Sequence, residues 1–86
     1  MRVRRRPVTD RVDRDGESVV LVGHTVVRLS GLATVLLDGC AGWTDLDVLT
    51  DLVVTELGPP PDGVDPRPAV ASTADALVAQ GLLERD

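Results

Sequence analysis

Few side chains in this sequence are of the types that carry out chemistry, and they do not form a reactive set. Cys40 is the single cysteine and His24 the single histidine. Catalysis by a thiol needs a base within hydrogen-bonding reach and a group that orients that base. His24 lies in a predicted turn, at the far end of a strand from Cys40. We therefore interpret His24 as a solvated turn residue and Cys40 as a passive, partly buried thiol.

Three carboxylates, those of Asp45, Asp47 and Asp51, follow one another on successive turns of a predicted helix. Carboxylate oxygens can hold a hard cation. The first two also lie at the start of the helix, where the helix dipole favours negative charge. We interpret the three as a solvated acidic face with capping roles. The sequence thus predicts no metal site, no catalytic residue, no cofactor and no enzymatic activity.

The chain has 86 residues, a length that corresponds to one domain. Its charged residues are distributed unevenly along that length. There are 14 acidic residues and 9 basic ones, all arginine, and four arginines lie within the first six residues. We predict a disordered basic tail at residues 1–7 and one folded, acidic domain at residues 8–86. An acidic body repels phosphate, and the absence of Phe and Tyr removes the usual base-stacking platforms. No nucleic-acid partner is expected.

The composition also indicates the redox compartment of the protein and whether the chain can span a membrane. A single cysteine excludes an internal disulfide framework and is typical of a reducing compartment. No apolar run approaches the roughly 18 residues that a membrane span needs. We expect a soluble cytoplasmic protein with no membrane partner.

The first third of the chain predicts three antiparallel strands. A polar, partly alternating stretch at 8–13 is consistent with an edge strand, and β-branched residues dominate at 18–22 and 25–29. Asp15-Gly16 and Gly23-His24 supply tight turns between them.

Three helices are predicted after the strands. Ser30 is a candidate N-cap for a helix over 31–40, and Thr44 with Asp47 forms a candidate capping box for a second helix. Five of the six prolines lie at 58–68, which predicts a loop, and a third helix begins near Pro68. Residues at helical spacing predict the buried faces of the second and third helices: Leu46, Leu49, Val53 and Leu57; Val70, Ala74, Leu77 and Val78. The predicted fold is α+β and winged-helix-like, a three-stranded antiparallel sheet followed by three helices.

The chain resembles the PqqD-like family, the RiPP recognition elements, which serve ribosomally made, post-translationally modified peptides. The resemblance covers about residues 16 to 84. The segments that carry it, in order, are the Asp15-Gly16 turn with the two apolar strands after it, Leu29-Ser30 at the strand-to-helix junction, Cys40-Ala41-Gly42-Trp43-Thr44 before the second helix, and Leu77-Val78-Ala79-Gln80-Gly81-Leu82-Leu83-Glu84 at the end. Ser30 stands where the family usually has Asn, and the large aromatic of the first helix is missing.

The resemblance implies a non-catalytic function. Such domains bind the leader segment of a precursor peptide as an added β-strand and deliver it to a modifying enzyme, which would be a radical SAM enzyme, a leader peptidase or a cyclase. In this chain the strand edge would be Val26, Val27, Arg28 and Leu29, and the third helix would supply the opposite wall with Ala71, Ala74, Asp75 and Val78. Alternation along the strand predicts that Val27 and Leu29 share one face, with Val26 and Arg28 on the other. We expect a monomer or a weak dimer.

Three other interpretations start from the same residues. A docking subunit that holds an enzyme without binding a leader would keep the same fold. A winged-helix DNA binder needs basic or amide side chains on its recognition helix, and residues 68–81 contain only Gln80 of this kind. A phosphopantetheine carrier protein needs an Asp-Ser pair at a helix start, whereas Leu29 precedes Ser30 here.

Overall fold

The computed structural model describes residues 1–15 and 17–86, so Gly16 of the predicted Asp15-Gly16 turn lies outside the described residues. The chain forms strands before, between and after the helices, whereas the sequence predicted strands only before them. The elements in chain order are β1 (Arg2–Arg5), β2 (Asp10–Arg14), β3 (Glu17–Val22), β4 (Thr25–Leu29), α1 (Gly31–Gly39), β5 (Thr44–Asp45), α2 (Leu46–Leu57), α3 (Arg67–Ala79) and β6 (Leu83–Arg85). Within these residues, no helix is both long enough and apolar enough to cross a bilayer.

The three predicted strands form an antiparallel meander in the order β2-β3-β4. Arg14 pairs with Glu17 and Val22 with Thr25, so each hairpin loop contains two residues. Asp15 and Gly23 both have positive φ, 54° and 61°, as tight hairpin turns require. The β-branched residues of β3 and β4 suit the pleated, half-buried surface that this meander provides.

The predicted disordered tail at residues 1–7 is wrong over Arg2–Arg5, because these residues form β1, the central strand of a second sheet in the order β5-β1-β6. Val3 is fully buried and anchors the strand in the core. Arg2 pairs with Asp86 at 2.9 Å, and Arg4 pairs with Glu84. One apolar residue and backbone pairing to both sides thus outweigh the high charge of the segment.

The first two helices begin differently from one another. Ser30 caps α1 as predicted, and its hydroxyl accepts a hydrogen bond from the Ala33 amide at 3.2 Å. The predicted Thr44 cap is wrong: Asp45 is the N-cap of α2 and accepts from the Asp47 amide at 3.1 Å. Thr44 is held in β5 by pairing with Val3, which leaves the capping role to the following residue.

One residue that the helical spacing predicted to be buried is exposed. Leu57 is 52% exposed, because α2 ends there and the loop at 58–66 does not cover it. Thr50, not predicted, is buried instead, and its hydroxyl donates to the Leu46 carbonyl at 2.8 Å. The core contains these buried aliphatic residues: Val3, Val20, Val27, Leu29, Ala33, Leu36, Leu37, Leu49, Val53, Val70, Ala74, Leu77, Leu82 and Leu83.

The fold class is therefore α+β with two small antiparallel sheets. Leu82 and Leu83 are buried in the core, and the chain then continues as β6 along β1. The positions of β3, β4 and the three helices agree with the sequence within one or two residues.

A polar network joins the meander to α1. The Arg11 guanidinium donates to both carboxylate oxygens of Asp38, at 2.5 and 3.1 Å, and at 2.9 Å to Asp13, which also accepts from the buried Ser18 hydroxyl. The hydrogen bonds from Ser18 and Arg11 lower the pKa of Asp13 below its ordinary 3.8, and Asp38 raises the pKa of Arg11.

This network predicts that the folded state becomes less stable at low pH. A depressed carboxyl pKa contributes stability that is present above the unfolded-state pKa and is lost as pH falls through the folded-state pKa. We expect the free energy of unfolding to decline below about pH 4, and less steeply in Asp13→Asn than in the wild type. Urea unfolding at a series of pH values measures this, with Asp62→Asn in the exposed loop as the control. Equal slopes in Asp13→Asn and the wild type would contradict the assignment.

Candidate functional site

Strand β4 presents a backbone edge that no other strand occupies among the described residues. It pairs with β3 on one side only and is the last strand of its sheet. In a hairpin with a two-residue loop, the pair that flanks the loop exchanges hydrogen bonds, and such pairs alternate along the ladder. The register therefore turns the amide and carbonyl groups of Val26 and Arg28 away from β3. These groups are available to an incoming strand.

The side chains of β4 alternate as predicted. Val27 and Leu29 are buried in the core, whereas Val26 is 67% exposed and Arg28 is exposed on the other face. Among the described residues, Arg28 takes part in no ion pair. The edge therefore combines unpaired backbone groups, an exposed aliphatic side chain and an uncompensated cation.

A groove of about 570 Å³ lies between this edge and the C-terminal end of α3. Its lining residues are Val22, Thr25, Val26, Val27, Arg28, Ala79 and Gln80. The strand supplies the long wall, and Ala79 is a small residue that leaves space opposite it. Gln80 adds an amide that can both donate and accept. A peptide in extended conformation could pair with β4 here and direct alternate side chains toward the helix.

The four residues predicted for the helix wall have different environments in the structure. Ala74 is fully buried in the core, and Val78 is partly buried against it. Asp75 is exposed and lies 3.9 Å from Arg85 on β6, while Ala71 is half-buried. None of these four residues lines the groove. The last turn of α3, rather than these four residues, lines the groove beside β4, so the peptide contacts predicted for Ala71, Ala74, Asp75 and Val78 stay predictions.

Four of the residues that line the groove were not selected from the sequence: Val22, Thr25, Ala79 and Gln80. A signal for one of them was present: Ala71, Asp75 and Ala79 are spaced four residues apart and so lie on one face of α3. Continuing that row by one turn would have included Ala79. No sequence signal indicates where along its length the helix approaches the strand.

Cys40 and His24, the other residues considered for chemistry, lie in different environments. The Cys40 thiol is buried and donates to the Leu36 carbonyl at 3.0 Å, and burial raises its pKa, which disfavours the reactive thiolate. His24 is exposed in the hairpin turn between β3 and β4. In the part of the chain that the structure describes, no three His, Cys, Asp or Glu residues are grouped as metal ligands would be.

No protein-family model, curated protein or solved structure matches this chain.

Proposed function

We propose that this protein binds the leader segment of a ribosomally made precursor peptide by strand addition to β4 and delivers it to a modifying enzyme. The observation that carries the proposal is the free edge of β4 beside a groove that is also lined by Ala79 and Gln80. Backbone hydrogen bonds to the edge would supply affinity, and the groove would select side chains. The protein itself performs no catalytic step and needs no cofactor.

The architecture supports this proposal at a finer level. A meander of three strands followed by three helices is the order expected of a winged-helix domain of the PqqD-like kind, and β4 corresponds to the third strand of that meander. Strands β1 and β6 pair with each other and so tie the two ends of the chain together. They lie in the other sheet and leave the edge of β4 open.

The charges of α3 favour a peptide ligand over DNA. Its one basic residue, Arg67, begins the helix and donates to Asp65 through both its amide at 3.0 Å and its side chain at 3.1 Å. A recognition helix in the major groove needs side chains that reach base edges. The remaining residues of α3 are aliphatic, small or acidic apart from Ser72 and Thr73.

A backbone amide NMR titration tests the proposal. The titrant is the leader of any precursor peptide encoded beside this gene, and a scrambled peptide of the same composition is the control. We expect shifts at residues 26–29 and 79–80, little change in β1 and β6, and saturation with a Kd of about 10 μM or tighter.

Two tryptophan variants sharpen the test. Ala79→Trp fills the groove and should weaken leader binding by at least about tenfold, whereas Ala76→Trp, at an exposed position on α3 outside the groove lining, should not. A flat titration with every neighbouring precursor would contradict leader binding. It would favour a docking subunit, for which the neighbouring enzyme is the next ligand to test.

A further inference from the structure

The groove beside β4 carries a single charged side chain, and its charge is positive. Of the described residues that line the groove, only Arg28 is ionised, and the others are aliphatic or neutral polar. Arg28 is exposed and takes part in no ion pair within the described part of the chain. The planar fork of a guanidinium matches the geometry of a carboxylate. A peptide in the groove would therefore meet one cation that has no acidic partner.

The position of Arg28 on β4 decides which residue of an added strand it contacts. Side chains directly opposite one another on adjacent strands lie on the same side of a sheet, with Cβ atoms about 4.5–5.5 Å apart. The peptide residue opposite Arg28 would thus lie on the outer side, beside the guanidinium. Its neighbour, opposite the buried Val27, would point to the helix side, where Ala79 leaves space. The residue after that would lie on the outer side against Val26, which is 67% exposed.

Charged residues on the meander side of Arg28 leave it available to a peptide. Its direct partner on β3 is the uncharged Val19. Glu17 lies diagonal to Arg28 on β3 but directly opposite Arg14 of β2. Glu17, Arg14 and Asp15 share a shallow hollow with Arg28, yet neither acid forms an ion pair with it. No carboxylate lines the groove side of Arg28 among the described residues.

We propose that the groove selects leader segments with an aspartate or glutamate opposite Arg28 and an apolar residue two positions away, opposite Val26. This inference rests on the proposed binding of a leader by strand addition. The formal net charge of the protein is −5, so acidic residues at other positions of the peptide are not favoured. The ligand is an extended peptide with one placed carboxylate rather than a generally acidic peptide, and Arg28 determines that specificity.

Selection from a peptide library tests the placed carboxylate. The probe is a displayed library of random peptides about twelve residues long, which exceeds the length of a typical strand. It is selected on the wild type, on Arg28→Gln and on Arg28→Glu. The wild type should enrich Asp or Glu at one fixed position, two residues from an apolar side chain. Arg28→Glu should enrich Lys or Arg at that position, and Arg28→Gln should show no charge preference.

Affinities of one selected peptide measure the size of the effect. Replacing its glutamate by glutamine should weaken binding to the wild type about threefold, and replacing it by lysine about tenfold, as for cross-strand pairs of opposite and like charge. Arg28→Glu should prefer the lysine peptide to the glutamate peptide. Isothermal titration measures these values, and circular dichroism checks that each variant is folded.

Arg14→Glu is the matched control. Arg14 is an exposed arginine on the same face of the meander, but it lies on β2, two strands away from the edge of β4. The variant carries the same charge change as Arg28→Glu. It should select the same peptides as the wild type and bind them within about twofold of it.

The outcomes separate this inference from the proposed function. Selected peptides that shift the amides of residues 26–29 and 79–80 but show no acidic preference would overturn the role of Arg28 and leave strand addition standing. An acidic preference that persists in Arg28→Gln would also overturn it, since another residue would then hold the carboxylate. A wild type that selects no peptide, or only peptides that leave these amides unshifted, would contradict strand addition itself and this inference with it.

Discussion

Val26→Pro is expected to weaken leader binding by at least about tenfold while the domain remains folded. The register turns the Val26 amide toward the free edge of β4, so proline removes a donor that the meander itself does not use. Proline is tolerated on an edge strand when its missing N–H would face solvent. The ring also obstructs an incoming strand. Isothermal titration with the leader peptide measures the loss, and circular dichroism checks the fold.

Two substitutions at neighbouring positions separate backbone from side-chain effects. Val26→Ala keeps the amide and should bind the leader within a few-fold of the wild type, because it removes only part of an exposed side chain. Val27→Pro removes an amide that faces β3 and should destabilise the meander itself. Equal binding by Val26→Pro and the wild type would rule out strand addition at this edge, even if the leader binds elsewhere.

Val3→Asp is expected to cost about 3 kcal/mol or more of unfolding free energy, since it places an unpaired carboxylate in the core. Val3 is fully buried between β5 and β6, although it belongs to a segment with four arginines. A domain of this size has about 5–10 kcal/mol of stability in total, so the variant should be close to unfolding at room temperature. Urea denaturation followed by circular dichroism measures the change.

The matched control is Val12→Asp, the same substitution in an exposed strand position. Val12 is 59% exposed, so the carboxylate stays in water and the expected change is within about 1 kcal/mol. Similar stability of Val3→Asp and the wild type would show that β1 is not part of the folded core. The first residues would then be the free basic tail that their composition suggests.

Local patterns were sufficient for most of the elements. The β-branched run of β3, the Asp15 and Gly23 turn residues near its two ends and the hydroxyl of Ser30 each act within a few residues, so the meander and the start of α1 were predicted correctly. The alternation of Val26, Val27, Arg28 and Leu29 follows from the period of a strand alone. For the candidate site, the sequence predicted the strand edge and that α3 lies opposite it.

Contacts between distant parts of the chain decided the rest. Arg2–Arg5 is a strand only because Leu83–Arg85 and Thr44–Asp45 lie beside it, and neither partner is near it in sequence. The same pairing held Thr44 in β5 and moved the helix cap to Asp45. The groove wall at Ala79 depends on where α3 approaches β4, which is set by the packing of α3 against the other helices. Periodicity shows which face of an element is buried, but only tertiary packing determines which element covers it and where.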